Sequence, residues 1–220
     1  MAGHDSPPKD CRTHWQSWLR VARRIRVPLG FLMAAVYLFE VARRAPHPAA
    51  IAWSLALVLP GLAVRASASG TVKKNRELTV DGVYAHSRNP LYLGSLLIAA
   101  GFALALESGP VALLIAAGFA AIYIPVIALE EQFLRATFPE FESYCRSVPR
   151  FLPRLTPARA PGAMDQAAAS ETVTKAATGG FSVALYLKHR EYNSALGAAL
   201  LYLSLLFLRP VLEMVLHRSR

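Results

Sequence analysis

The stretch that decides the fold of this chain is Gly82-Val83-Tyr84-Ala85-His86-Ser87-Arg88-Asn89-Pro90-Leu91-Tyr92-Leu93-Gly94. In it, a polar and basic loop runs without a break into an apolar segment. A second polar stretch, 130–153, directly follows another long apolar segment. Polar and basic sequence next to an apolar run is typical of the end of a membrane-spanning helix. Both polar stretches are therefore expected on one face of a membrane.

The composition of the chain supports the same interpretation. Of its 220 residues, 54% are hydrophobic and 17% are charged, which is too apolar for a typical soluble domain. The apolar residues gather into blocks of about the length that crosses a bilayer. We predict an all-α, polytopic integral membrane protein with about five transmembrane helices and cytosolic cofactor-binding segments. The predicted spans are Val27–Val41, Ala49–Val64, Leu91–Leu106, Pro110–Leu129 and Ala195–Leu216.

The first two predicted spans are short, and Arg209-Pro210 interrupts the fifth. These three segments could each be tilted, half-inserted or broken. In addition, the octapeptide 96–103 recurs as 113–120. In an antiparallel hairpin this repeat would place Gly101 and Gly118 at similar depth, where small residues let two backbones approach closely.

The formal net charge of +10 does not indicate nucleic-acid binding, because the basic residues lie beside the predicted spans. They precede the first span, separate the second from the third, and follow the fourth. The positive-inside rule then places the N-terminus and the predicted cofactor site in the cytosol, at the inner membrane if the protein is bacterial. Arg43 and Arg44 fall on the outer side in this arrangement, which is a mild conflict.

Four parts of the chain are predicted. Residues 1–26 form a cytosolic N-terminal segment with a possible interfacial helix, and 27–156 form the membrane core. Residues 157–194 form a linker and juxtamembrane segment, and 195–220 form a C-terminal transmembrane or membrane-associated helix. Cys11 and Cys145 are interpreted as reduced thiols without a role, and no His/Cys group has metal-ligand spacing.

Two motifs carry chemical information. The first motif comprises Leu78–Tyr84 and Arg88–Gly94. The second motif begins at Glu130-Glu131 and continues with Leu134, Phe138-Pro139, Phe141, Tyr144 and Val148–Pro153. Their order and spacing resemble those of the isoprenylcysteine carboxyl methyltransferase and phospholipid methyltransferase superfamily. The resemblance covers about residues 76–153 and implies S-adenosylmethionine as the cofactor, held between the two motifs.

The resemblance also implies roles for individual residues. Glu130 would accept hydrogen bonds from the methionine ammonium or the ribose hydroxyls of the cofactor, where charge-assisted bonds are strong. Glu131 would point elsewhere, because adjacent helix positions do not share a face, and would hold Arg88 or Arg150. Glu131 and Arg150 are the candidate catalytic residues. The implied cofactor-binding residues are Arg76, Glu77, Leu78, Thr79, Tyr84, Arg88, Asn89, Pro90, Leu91, Tyr92 and Glu130.

The chain departs from the isoprenylcysteine branch at Val126, where that branch carries an arginine associated with substrate. No cation replaces it within the fourth span. The sequence therefore argues against a prenylcysteine substrate, and it leaves Arg150 as the candidate for holding an anionic substrate group.

The predicted function is S-adenosylmethionine-dependent methyl transfer to a lipophilic acceptor resident in the bilayer. Such a transfer is an in-line displacement that mainly needs alignment and exclusion of water, and no general base is assigned. The acceptor could be a lipid headgroup, a lipidated thiol or carboxylate, or a small hydrophobic molecule, and the oligomeric state is open. Two alternatives are an NADPH-dependent membrane reductase of related helical layout and a non-catalytic membrane scaffold.

Overall fold

The structure is a computed structural model that describes residues 32, 34–44, 46–72, 78–158 and 181–218. All regular secondary structure in these ranges is helical, which confirms the all-α prediction. The helices are α1 (34–43), α2 (Pro48–Thr71), a 3₁₀ helix (Gly82–Ala85), α3 (Pro90–Ala105), α4 (Gly109–Thr137), α5 (Phe141–Ser147), α6 (Val183–Lys188) and α7 (Tyr192–Arg218). The predicted N-terminal segment 1–26, Arg76, Glu77 and most of the predicted linker lie outside the described residues.

Two helices in the described ranges, α2 and α4, are long and apolar enough to cross a membrane. Only 22% of the most apolar stretch of α2 and 17% of that of α4 are buried inside the protein, so most of their apolar surface faces outward. The helix α3 and the segment Tyr192–Leu208 of α7 are also apolar but shorter. Membrane association is therefore supported, whereas the predicted five spans are not confirmed.

The helices α2 and α3 pack closely because glycines line their contact. A Cβ atom on Gly94 would lie 2.6 Å from the carbonyl oxygen of Gly61, and one on Gly101 would lie 2.5 Å from Cγ2 of Val58. In contrast, no atom lies within 4 Å of a Cβ built on Gly118. The expectation that Gly101 and Gly118 bring α3 and α4 together is wrong, because Gly101 faces α2 instead.

The helices α1 and α7 join this pair through hydrogen bonds and an apolar cluster. The Tyr37 hydroxyl donates to the carbonyl oxygen of Leu201 at 2.8 Å, and the hydroxyls of Ser54 and Tyr202 lie 2.8 Å apart. The cluster consists of Tyr37, Val41, Val58, Phe102, Ala105, Leu106, Val111, Ala198 and Leu205. The bundle therefore combines helices from both ends of the sequence.

The end of the bundle that carries the predicted motifs is called the site end below. It consists of the C-terminal ends of α2 and α4 and the N-terminal ends of α3 and α7. At the opposite end, the backbone N–H of His47 donates to Oε2 of Glu107 at 3.1 Å. This contact joins the turn before α2 to the turn between α3 and α4.

The segment predicted as a linker and juxtamembrane region contains the helix α6, which docks on the C-terminus of α2. The backbone N–H of Ser182 donates to the Gly70 carbonyl at 2.9 Å, and Nδ1 of His189 lies 2.8 Å from the Ser69 carbonyl oxygen. The last carbonyls of an α-helix have no partner within the helix, and α6 supplies partners for two of them.

Candidate functional site

The loop 82–89 and the segment 149–158 are joined at the site end by backbone hydrogen bonds. The N–H of Arg88 donates to the Pro149 carbonyl at 3.0 Å, and the N–H of Arg154 donates to the His86 carbonyl at 2.9 Å. A third bond runs from the Ala158 N–H to the Ala85 carbonyl at 2.9 Å. The two motifs, far apart in the sequence, therefore form one unit.

Side chains strengthen this pairing. The hydroxyl of Ser87 donates to the Phe151 carbonyl at 3.0 Å, and Nδ2 of Asn89 donates to the Arg150 carbonyl at 2.9 Å. Both Ser87 and Asn89 are buried. Asn89, predicted to bind the cofactor, thus has its amide committed to positioning Arg150. The contribution of Ser87 could not be predicted from the sequence, since an isolated serine in a loop carries no distinguishing pattern.

Beneath the paired segments lies an apolar cluster built on α5. Phe141, Tyr144 and Val148 are almost fully buried, and Leu78 and Val80 pack against them. The Tyr144 hydroxyl donates to the carbonyl oxygen of Tyr84 at 2.7 Å. Leu78 therefore belongs to the support of the site.

The phenols of Tyr84 and Tyr144 are held in their neutral form. Burial raises the pKa of Tyr84 above its ordinary value, and the negative charge of Glu130 raises it further. Burial also raises the pKa of Tyr144. Removing a charged group from water disfavours its charged form, so these hydroxyls serve as neutral hydrogen-bonding groups at physiological pH.

Three charged side chains meet next to this cluster. We call them the Arg88–Glu131–Arg150 triad. Glu131 is only 5% exposed. Its Oε1 lies 3.4 Å from Nη1 of Arg88 and 3.2 Å from Nε of Arg150. Nη1 of Arg88 also contacts Sγ of Cys145 at 2.8 Å. The predicted contact of Glu131 with these arginines is confirmed, and it extends to both of them.

The triad carries one negative and two positive charges, and part of its hydrogen-bonding capacity is unused. Nε of Arg88 and Oε1 of Glu131 are buried and have no hydrogen-bond partner among the described residues, although the ion-pair distances are short. A buried polar atom without a partner is costly in a folded protein. The triad therefore has a net charge of +1, with one buried donor and one buried acceptor that lack hydrogen-bond partners among the described residues.

Glu130 is exposed next to the buried Glu131, as predicted for adjacent helix positions. Of the other predicted cofactor residues, Pro90 is buried, while Thr79, Leu91 and Tyr92 are partly exposed. The ring of Tyr92 lies 5.2 Å from that of Tyr123 on α4. The site end thus brings together Tyr84, Arg88, Asn89, Glu131 and Arg150, with Glu130 on its outer side.

A cavity of about 620 Å³ opens between α1, α3, α4 and α7. Apolar side chains line most of it, including Ile98, Phe102, Val111 and Ile115. Near the site end the lining becomes polar, with Arg65, Ser95, Asn193 and Ser194. This polar lining is called the rim below.

Arg65 is fixed within the rim by a neighbour on α3 and another in the turn before α7. Its Nε donates to Oε1 of Glu191 at 2.6 Å, and its Nη1 donates to the Ser95 hydroxyl. The Ser194 hydroxyl donates to the same Glu191 oxygen at 2.7 Å. In the sequence, Arg65 is one of the basic residues between the second and third predicted spans, and no local pattern connects it with Glu191.

Comparison with known proteins agrees with the motifs. Residues 53–140 match the phospholipid methyltransferase family, which belongs to the isoprenylcysteine carboxyl methyltransferase-like superfamily. The superfamily predicted from the motifs is therefore confirmed over this segment. The matched segment contains most of α2 and all of α3 and α4.

Two curated relatives are proteins of metal resistance. Over 84 residues, the chain is 42% identical to the cobalt-zinc-cadmium resistance protein CzcN of Cupriavidus metallidurans. Over 84 residues, it is 38% identical to the nickel-cobalt-cadmium resistance protein NccN of Alcaligenes xylosoxydans xylosoxydans. Each match covers 38% of this chain and 39% of the relative, so the chain spans less than half the length of these relatives. No solved structure matches the chain.

Proposed function

We propose that the protein transfers a methyl group from S-adenosylmethionine to a lipophilic acceptor resident in the membrane. The observation that carries the proposal is the Arg88–Glu131–Arg150 triad, which combines side chains from both motifs at the end of a long apolar helix. The match of residues 53–140 to a methyltransferase family supports the same reaction class.

The residues of the site end fit the charges of this cofactor. The triad has one more positive than negative charge, and Nε of Arg88 is buried without a partner among the described residues. Both features suit the carboxylate of the methionine moiety, because guanidinium groups bind carboxylates through strong charge-assisted hydrogen bonds. The exposed carboxylate of Glu130 suits the methionine ammonium or the ribose hydroxyls.

We propose that the remaining predicted cofactor residues line the site around this charged centre. We assign Tyr84, Arg76, Glu77 and Thr79 to the adenosine side, with Leu78 supporting them from the apolar cluster. We assign Asn89, Pro90, Leu91 and Tyr92 to the wall of the site. Asn89 contributes through Arg150, whose carbonyl it holds at 2.9 Å. Arg150, whose side chain is 48% exposed, can contact an anionic group of a ligand while its Nε stays paired with Glu131.

The cofactor supplies an electrophilic methyl group on a positively charged sulfur. The task of the protein is to align the acceptor with that methyl and to exclude water. Charge disappears as the displacement proceeds, so an apolar environment such as the cavity between α3, α4 and α7 favours the reaction. Glu131 holds the two arginines in place, and Arg150 orients the carboxylate of the methionine moiety.

The membrane arrangement follows from the charge distribution. We assign the site end and the N-terminus to the cytosolic face, at the inner membrane if the protein is bacterial, because basic residues concentrate there. The lipid bilayer then surrounds α2 and α4 and supplies the acceptor.

The test is calorimetric titration of the purified protein in detergent with S-adenosylhomocysteine, with NADPH titrated in parallel. We expect the wild-type protein to bind S-adenosylhomocysteine with micromolar affinity. We expect the Glu130→Ala variant not to bind it. The matched control is Glu140→Ala, which removes another exposed carboxylate near the end of α4. Binding of NADPH alone would point to a reductase, and a folded protein that binds neither ligand would point to a scaffold.

A further inference from the structure

The cavity between α1, α3, α4 and α7 has the dimensions of a ligand site. Its volume of about 620 Å³ lies within the range of roughly 300–1,000 Å³ that is usual for small-molecule pockets. Phe102, Val111, Ile115 and Leu201 line it away from the site end. These side chains suit an apolar tail, whose removal from water is favourable.

Two glycines keep this cavity open. Gly118 on α4 and Gly197 on α7 both line it, and no atom lies within 4 Å of a Cβ built on either. By contrast, Gly61, Gly94 and Gly101 each bring α2 and α3 into close contact. Gly118 and Gly197 therefore leave space where a larger side chain would fit without a clash.

The rim presents a positive charge to the cavity. Arg65 lines the cavity, whereas Glu191 lies behind it and lines a separate small cavity with Leu62 and Tyr186. Glu191 and Ser95 hold Nε and Nη1 of Arg65, and no described residue accepts a hydrogen bond from its Nη2. No carboxylate lines the cavity in the part of the chain that the structure describes. Glu191 balances the charge of Arg65, so the ability of the rim to bind an anion rests on the unused Nη2 donors of Arg65 and on the polar groups beside it.

We propose that this cavity binds an amphiphile whose anionic head is held by Arg65, with Ser95, Asn193 and Ser194 around it, and whose apolar tail fills the space beside Gly118 and Gly197. A partly buried guanidinium binds carboxylate and phosphate oxygens with short, strong hydrogen bonds. Arg65 thus supplies, from α2, the cation that the fourth predicted span lacks at Val126. That this amphiphile is the methyl acceptor rests on the proposed function.

The residues that fix the head lie partly outside the segment shared with the methyltransferase family. Glu191, Asn193 and Ser194 all follow residue 140, where the family match ends. The selection of the head therefore depends on the turn before α7 and on the first turn of α7, in addition to Arg65 and Ser95 inside the matched segment.

The first experiment measures binding of tritiated palmitate to the full chain in detergent by scintillation proximity. Hexadecyl phosphate and hexadecanol are the competitors, so that the head varies while the tail length stays fixed. We expect the phosphate or unlabelled palmitate to compete at least about tenfold better than the alcohol, which corresponds to about 1.4 kcal/mol. The better of the two anions identifies the head, and equal competition by all three would overturn the proposal.

Variants then test the two parts of the cavity. Gly118→Leu and Gly197→Leu fill the tail region, and each should weaken palmitate binding by about tenfold or more, since they remove space for several methylene groups. The matched control is Gly109→Leu, which faces a different cavity beside Leu57 and Ala112 and also has open space around it. A loss in the control equal to that in Gly118→Leu would contradict the assignment.

The head is tested with the double variant Arg65→Gln/Glu191→Gln, which removes both charges and leaves no unpaired ion. It should lose the preference for palmitate over hexadecanol, whereas Glu191→Gln alone should keep it because the cation remains. Retention of the preference in the double variant would refute the role of Arg65. If the double variant does not fold, the competition of the anions against hexadecanol in the wild type decides whether the head must be anionic.

The outcomes separate this inference from the proposed function. In one outcome, Gly118→Leu abolishes palmitate binding and the wild type does not bind S-adenosylhomocysteine. This outcome would support the amphiphile site in the cavity and refute methyl transfer. The opposite result is that the protein binds S-adenosylhomocysteine, while Gly118→Leu and Gly197→Leu leave palmitate binding unchanged. This result would refute the amphiphile site in the cavity and would still support methyl transfer.

Discussion

Nε of Arg150 lies 3.2 Å from Oε1 of Glu131, a carboxylate that is only 5% exposed. Glu131 belongs to α4, and Arg150 follows α5, so the chain must turn back over the end of α4 to make this contact. Arg88, from the loop before α3, approaches the same oxygen at 3.4 Å. One buried carboxylate therefore holds together the three segments that form the site end.

The first prediction compares the two adjacent glutamates. Glu131→Ala should lower the free energy of unfolding by about 3–5 kcal/mol, because it leaves two guanidinium groups without their buried partner. Glu130→Ala removes an exposed carboxylate and should change the free energy of unfolding by no more than about 0.5 kcal/mol. Thermal unfolding in detergent, followed by circular dichroism, measures both. Similar Tm values for the two variants would mean that the triad does not stabilise the fold.

The second prediction concerns the hydrogen bond from Tyr144 to the Tyr84 carbonyl. Tyr144→Phe should cost about 1–3 kcal/mol, since it leaves a buried acceptor without its donor. Tyr192→Phe is the matched control, because Tyr192 is 38% exposed and its hydroxyl can bond to water. A Tm for Tyr144→Phe equal to that of the control would show that the 2.7 Å contact contributes no stability.

The third prediction is a loss of stability at alkaline pH. Burial raises the pKa values of Tyr84 and Tyr144 above those of the unfolded chain, so the native state binds these protons more tightly. This contribution to stability is fully present below the unfolded pKa of about 10. It falls as the pH rises from there through the folded pKa values, because the unfolded state then releases protons that the native state keeps.

The measurement is the Tm of the wild type and of Tyr144→Phe at several pH values on both sides of the ordinary tyrosine pKa. The variant lacks one of the two buried phenols, so its Tm should fall less steeply than that of the wild type above that pKa. Parallel curves over the whole alkaline range would count against the burial of the Tyr144 hydroxyl.

The fourth prediction uses the glycines of the helices. Gly94→Ala should destabilise the protein by about 1–3 kcal/mol, as overpacking does, because its Cβ would lie 2.6 Å from the Gly61 carbonyl oxygen. Gly118→Ala should be neutral or stabilising by up to about 1 kcal/mol, since it adds helix propensity in open space. Thermal unfolding of the two variants, side by side, gives the difference. A greater loss in Gly118→Ala would contradict the packing of α2 on α3.

The fifth prediction concerns the attachment of the segment 149–158. Asn89→Ala removes the hydrogen bond to the Arg150 carbonyl and should raise the rate of tryptic cleavage after Arg150 several-fold, because local opening becomes easier. The control is Ser143→Ala, an exposed serine on α5 whose hydroxyl bonds only within its own turn. The readout is limited proteolysis under native conditions with mass spectrometry of the fragments, and equal rates in both variants would refute the prediction.

Much of the architecture was predictable because it depends on local sequence. Long apolar runs bounded by polar residues indicate helices, and the described parts of the chain contain no other regular structure. The opposite directions of Glu130 and Glu131 follow from helix geometry alone. The superfamily could be recognised because the spacing of its motifs is a property of the sequence and does not depend on how the helices between them pack.

The site was predictable only where its residues belong to those motifs. Glu131, Arg88 and Arg150 could be expected to meet, since both motifs flank the hairpin of α3 and α4. The pair of Arg65 and Glu191 could not be predicted, because 126 positions separate the two residues and no periodicity links α2 to α7. The docking of α6 was also missed, as its short sequence lies next to a segment whose composition is typical of a linker.

By itself, then, the sequence determined the helical class, the polar and apolar ends of each helix and the two motifs, because propensity, hydrophobic run length and motif spacing all act over short distances. The tertiary structure alone decided which helix faces meet. The repeated octapeptide shows the difference, for Gly101 packs against α2 while Gly118, in the same local sequence, lines an open cavity. A side chain's direction on a helix is fixed by its position, but its surroundings depend on the elements that other parts of the chain place beside it.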